Sequence, residues 1–170
     1  MRRRKWVKRR IQRVVERLRR RFARPRSEQD RQRRIRTLYA RYREQGFAEV
    51  PDLGPDQLST LDSPVLIDVR EPYERAVSML PGALSLEDFE RDAEAYRGRI
   101  LVPYCTIGAR SGVVTRRLRA AGYDARNLAG SILAWTYTGR ALERDGQPTR
   151  AVHTYGSSWD LTADGYDAVW

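Results

Sequence analysis

Ile100-Leu101-Val102-Pro103-Tyr104-Cys105-Thr106-Ile107-Gly108-Ala109-Arg110-Ser111 is the stretch from which the fold is read. Its first five residues form an apolar run of strand length, and residues 111–121 follow with an amphipathic helical pattern. Strand, tight loop and helix start put Cys105, the single cysteine of the 170-residue chain, at the positive end of a helix. Backbone N–H groups there favour a thiolate and any anion joined to it. A lone buried cysteine is more often a small hydrophobe. The loop setting favours a reactive one.

Working outward, short β-rich runs alternate with helical patterns: residues 65–69, a helix near Tyr73, 83–86, a helix over 86–96, 100–104, a helix over 111–121, and 125–128. This alternation predicts an α/β fold with a central, mainly parallel sheet flanked by helices. Ligands of such folds bind beyond the carboxyl ends of the strands, which is where Cys105 falls.

Charge divides the chain. Residues 1–43 hold 20 Lys or Arg and 3 acids, whereas the rest hold 13 bases and 19 acids, so the net +11 comes from one end. Within 5–23, Val7, Ile11, Val14, Val15, Leu18 and Phe22 make one apolar stripe on a helix otherwise rich in arginine. Pro25 ends it. Ser27 and Asp30 then resemble a capping box that opens a second helix through Ile35, Leu38, Tyr39 and Tyr42 to about Gly46. The expected division is a basic helical extension over 1–46, a domain over 47–150 and an acidic, aromatic tail over 151–170.

For the extension, packing of the helices on each other or on the domain ranks level with binding of residues 1–26 to an anionic membrane surface. Nucleic-acid contact through arginine ranks below both. The tail has no Lys or Arg but carries Tyr155, Trp159, Tyr166 and Trp170, a density that predicts packing on the domain or on the basic helices. One cysteine excludes an intramolecular disulfide and points to a reducing compartment, the cytoplasm. His153 is the only histidine, so no Cys/His cluster is present to hold zinc. No run approaches the about 20 apolar residues of a membrane span, and the start lacks the apolar region of a secretory signal.

Four segments in order resemble the rhodanese-like sulfurtransferase domain over roughly residues 47–150. They are Leu66-Ile67-Asp68-Val69-Arg70-Glu71-Pro72 with Glu74, then Leu80-Pro81-Gly82-Ala83, then Val102 to Cys105 with Gly108, Arg110 and Ser111, and finally Ala129-Gly130 with Trp135. Three departures stand out. Ser78-Met79 replaces the family's frequent Gly-His, uncharged Thr106 follows the cysteine where many members carry a charge, and Ala129-Gly130 replaces Gly-Gly.

The resemblance implies that Cys105 carries a persulfide sulfur in a cradle of Thr106, Ile107, Gly108, Ala109 and Ser111. Arg110 is the cation beside it, and Asp68, Arg70 and Trp135 support the site. Such chemistry needs a thiolate, and a helix start with a cation can lower a thiol from about 8.5 to about 3.5–7.5. Ser111 is expected to cap the following helix. Arg110 either faces the anion, the favoured reading, or is a solvated arginine at the helix start or pairs with Asp68 or Glu74. Asp68 is expected to be a structural partner that fixes the loop, Trp135 to pack near the site, and His153 to have an ordinary surface or packing role.

The implied function is transfer of sulfane sulfur from thiosulfate or another persulfide to a thiol or cyanide, with no metal or organic cofactor. The alternatives are a cysteine phosphatase or arsenate reductase, and a non-catalytic binding module. Phosphatase loops carry one residue more between cysteine and arginine than the four from Thr106 to Ala109. The intact Cys105 and Arg110 argue against the binding module. Since every matched residue lies beyond 46, removal of residues 1–46 is expected to leave transfer intact.

Overall fold

The computed structural model describes residues 27–170, so the stripe in 5–23 and the surface role expected of residues 1–26 lie outside the described residues. Among the described residues no helix is long and apolar enough to cross a membrane.

The chain opens with helix α1 (Glu28–Gly46), whose Ser27 cap accepts the Asp30 N–H at 3.1 Å. Ile35 and Tyr39 are its buried apolar residues, one helical turn apart. Next come β1 (Asp52–Leu53), β2 (Val65–Asp68), the short helix α2 (Pro72–Arg75), β3 (Leu84–Ser85) and helix α3 (Leu86–Arg91). They are followed by β4 (Leu101–Tyr104), helix α4 (Ala109–Ala120), β5 (Asn127–Leu128) and helix α5 (Ser131–Trp135). Strands β6 (Leu142–Arg144), β7 (Gln147–Thr149), β8 (Ala151–His153) and β9 (Asp167–Val169) complete the described chain.

All pairings among β1 to β5 are parallel. β2 lies between β3 and β4, β1 pairs with β5, and a parallel bridge from Leu101 to Ala125 joins the two groups. The resulting order is β1–β5–β4–β2–β3. Alternation along β2 and β4 then divides the core. Val65, Ile67 and Leu101 face Phe89 and Leu118 on one side, while Val102 and Tyr104 face Leu128, Ile132, Trp135 and Val152 on the other. Both faces are covered, as a parallel sheet requires.

Three expected elements are clearly shorter than their sequence pattern: β3, α3 and β5, the last covering Asn127–Leu128 of the expected 125–128. Ser85 leaves the strand early because its hydroxyl caps α3, accepting the Asp88 N–H at 3.0 Å. The helix over 86–96 breaks at Asp92 into α3 and a 3₁₀ turn (Ala93–Tyr96), which brings the Tyr96 ring 5.6 Å from buried Phe89.

The tail packs on both of its expected neighbours. Val152, Ala163 and Tyr166 enter the core, and β8 pairs in parallel with β9. Asp164 meets buried Arg31 of α1 at 2.5 Å. Leu161 closes a cluster with Ile35 of α1 and Ile107 of the cysteine loop. Through this cluster α1 forms one wall of that loop, a contact that the expected dispensability of residues 1–46 does not take into account.

Candidate active site

Cys105 leaves the carboxyl end of β4 as the chain turns into α4. Its carbonyl accepts the Ile132 N–H at 3.2 Å, and the Thr106 carbonyl accepts that of Leu133 at 3.2 Å, both from the start of α5. The Cys105 N–H donates to Ser131 Oγ at 3.0 Å. With these groups tied outward, the loop curls back so that the Gly108 N–H lies 3.2 Å from Cys105 Sγ.

That curl depends on glycine. Gly108 has φ +102°, and a Cβ there would sit 2.7 Å from the Tyr39 ring. Asn127 Nδ2 fixes the turn by donating to the Gly108 carbonyl at 2.9 Å and to the Tyr39 hydroxyl at 3.2 Å. Tyr39 in turn donates to Asp52 at 2.8 Å.

The left-handed Gly108 serves as N-cap, and α4 begins at Ala109. Ser111 is therefore not the helix cap expected from the sequence. It is buried in the first turn, and its hydroxyl donates to Cys105 Sγ at 3.6 Å. Burial, the largest single influence, pushes the Cys105 thiol up. The Ser111 N–H and hydroxyl, the Arg110 charge and the Gly108 N–H together outweigh it, leaving the thiol below its ordinary value.

Arg110 is held in an ion pair within the site. Its guanidinium grips the fully buried Glu74 of α2 with Nη1–Oε2 at 2.6 Å and Nη2–Oε1 at 2.8 Å. Of the two acids weighed as its partner, Glu74 and not Asp68 pairs with it. A two-pronged guanidinium–carboxylate contact fixes orientation as well as charge. Glu74 also accepts from Thr106 Oγ1 at 3.2 Å, the Glu71 N–H at 3.0 Å and the Tyr155 hydroxyl at 3.1 Å. Burial, the largest influence, raises the Glu74 carboxyl. Arg110, the Glu71 N–H and Tyr155 override it and bring the carboxyl to about 2. Thr106 accordingly spends its hydroxyl on Glu74, and Ile107 is buried in the apolar cluster with Leu161.

Asp68 is tied to Arg70 and to the Tyr104 hydroxyl. Both it and Arg70 are fully enclosed, with Arg70 Nη2 at 2.7 Å and the Tyr104 hydroxyl donating at 2.6 Å. Arg70 also donates to the Ser78 carbonyl at 2.5 Å. This knot sets the turn from β2 into α2 and thereby the position of Glu74. Trp135 packs in the core, with the Arg140 guanidinium 4.0 Å above its ring.

Two residues at the site had no local sequence signal. His153 packs between Tyr73 and Tyr155, with Nδ1 3.9 Å from Glu74 Oε1, and burial holds it below its ordinary value. The Tyr155 ring lies 5.5 Å from the Arg110 guanidinium carbon. Among the described residues, no group of three or more His, Cys, Asp or Glu side chains is arranged to hold a metal.

The cysteine loop thus lies at the carboxyl end of β4, the central strand of a parallel sheet. The sequence model of the Rhodanese-like domain fits residues 55–138. A sulfurtransferase of Allochromatium vinosum is 37% identical over 87 residues, which cover 49% of this chain and 81% of that protein. An uncharacterized protein of Synechocystis is 34% identical over 87 residues, covering 49% of each chain. The crystal structure of thiosulfate sulfurtransferase from Pseudomonas aeruginosa shares the fold, with TM-score 0.51 and 21% identity over 66% of this chain and 23% of that one. The chain belongs to the rhodanese-like domain family.

Proposed function

We propose that this protein is a sulfurtransferase in which Cys105 carries the transferred sulfur. The observation that carries the reading is the sulfur's own surroundings. Cys105 Sγ takes the Gly108 N–H at 3.2 Å and the Ser111 hydroxyl at 3.6 Å beside the first turn of a 12-residue helix. Donors so placed stabilise a thiolate, and equally a persulfide anion built on it.

In the first step the Cys105 thiolate attacks the outer sulfur of a sulfane donor such as thiosulfate. The S–S bond breaks, sulfite leaves with the bonding pair, and Cys105 is left as a persulfide anion. In the second step cyanide or an acceptor thiolate attacks the terminal sulfur and departs as thiocyanate or a new persulfide, returning the thiolate. Charge and atoms balance at each step, and the cycle is ping-pong. Gly108 and Ser111 cradle the sulfur, and Arg110 supports its charge while remaining bound to Glu74. Thr106, Ile107 and Ala109 give the loop its shape, and Asp68 and Arg70 hold α2. Chemistry through a free thiol fits a reducing, cytoplasmic setting.

Thiosulfate:cyanide transfer by the full chain and by Cys105→Ser tests the assignment. The wild type should form thiocyanate and the variant none. Turnover by the variant would refute it, since the chain has no second thiol.

A further inference from the structure

Tyr155 comes from a segment outside the matched family domain, which ends at residue 138, yet it enters the cluster next to Cys105. Its hydroxyl donates to Glu74 Oε1 at 3.1 Å while its ring covers the Arg110 guanidinium. The segment is anchored on both sides. Before it, β8 pairs with β9, Ser78 Oγ donates to the Ala151 carbonyl at 2.6 Å, and the Thr154 N–H donates to Val169 at 2.7 Å. After it, Trp159 packs with the Ile35–Leu161 cluster and stands edge-on to Tyr155. Tyr155 is nevertheless 46% exposed, so filling the core does not explain its contacts.

We propose that Tyr155 is a positioning residue for the Cys105 chemistry, holding the Glu74–Arg110 pair against the cysteine loop from the C-terminal segment. The inference rests on Cys105 being the reacting thiol. Its physical basis is the freedom of Arg110, whose side chain is 35% exposed. Glu74 restrains the guanidinium edge, and Thr106 Oγ1 takes Nη2 at 3.2 Å. Neither covers the guanidinium face. A ring over that face attracts the cation and removes the rotamers that would swing it into water. Glu74 is fixed by the same residue, since Oε1 collects Arg110, Thr106 and Tyr155 together. Without the ring, Arg110 can turn outward and Cys105 loses part of the charge that favours its thiolate.

The rate of Cys105 alkylation by iodoacetamide against pH reads this directly, because the chain has no other thiol. Tyr155→Ala should move the midpoint up by about half a pH unit or more, a loss of about threefold in thiolate below the midpoint. Tyr155→Phe, which keeps the ring over Arg110, should lie between Tyr155→Ala and wild type. Thermal unfolding of both variants should stay cooperative, separating this shift from general loosening. A midpoint in Tyr155→Ala equal to wild type would overturn the inference. Sulfur uptake by the wild type is read separately by mass. A shifted midpoint without sulfur uptake would leave the positioning role standing and sink the transfer reading.

Discussion

Replacing Glu74 with Gln keeps the shape of a fully buried side chain and removes its charge. Arg110, Thr106, Tyr155 and the Glu71 N–H all donate to this carboxylate. An amide offers them one acceptor oxygen and turns N–H groups toward the others. In the folded protein the carboxyl ionises at about 2, against an ordinary 4.5. At about 1.4 kcal/mol per pH unit, the charge contributes about 3 kcal/mol of stability at neutral pH. Removing one partner of a buried pair costs about 3–5 kcal/mol, and the partial exposure of Arg110 sets this case at the low end.

Because the folded value lies below the unfolded one, that stability is complete above 4.5 and drains away as pH falls toward about 2. Urea unfolding of wild type and Glu74→Gln from neutral pH down to about pH 3 measures it. The gap between the two proteins should be about 3 kcal/mol at neutral pH and should narrow steadily in acid. A gap that stays constant with pH would refute the reasoning, since an uncharged contact would then be responsible.

Three further outcomes follow from the same geometry. Gly108→Ala should destabilise by at least about 1–2 kcal/mol from its left-handed backbone alone, and more from the clash with Tyr39, as read by thermal unfolding beside the alkylation rate of Cys105. A chain starting at residue 47 should be less stable and slower in sulfur transfer than the full chain, because it lacks Ile35 and Tyr39; deleting one such buried side chain typically costs about 2–5 kcal/mol. Burial, with Arg70 and Arg110 opposing the charge and Glu74 favouring it, keeps His153 below 6.5. Its contribution is therefore present above 6.5 and declines as pH falls below that value, so melting temperature against pH should be flatter in His153→Gln than in wild type.

The parallel sheet and the cysteine loop were legible because their signals are local. An apolar run, glycine and an amphipathic stretch decide strand, turn and helix within residues 100–121. Asp68 and Arg70 stand out in the sequence as supports of the site, but their pairing with each other does not, although they lie two residues apart on one turn. Ser111 was misread because a left-handed Gly108 starts the helix early, and a backbone conformation at one glycine has no periodicity to betray it. The Glu74–Arg110 pair joins residues 36 apart, and both were visible, but charge counting cannot tell which acid reaches which base. Tyr155 reaches Glu74 from 81 residues away, through pairing of β8 with β9 that the sequence pattern does not specify. The apolar spacing of Ile35 and Tyr39 predicted a buried helix face without naming its partner. Its partners are Ile107 of the cysteine loop, Leu133 of α5 and Leu161 of the tail at Ile35, and Phe47 and Val50 at Tyr39.

The central claim is that sulfur resides on Cys105 between two half-reactions. Intact mass of the full chain after incubation with thiosulfate, and again after adding cyanide, tests it most directly. The account predicts a gain of one sulfur atom in the wild type that cyanide removes, and no gain in Cys105→Ser. A wild-type mass unchanged by thiosulfate and by a low-molecular-weight persulfide, or an equal gain in Cys105→Ser, would contradict it.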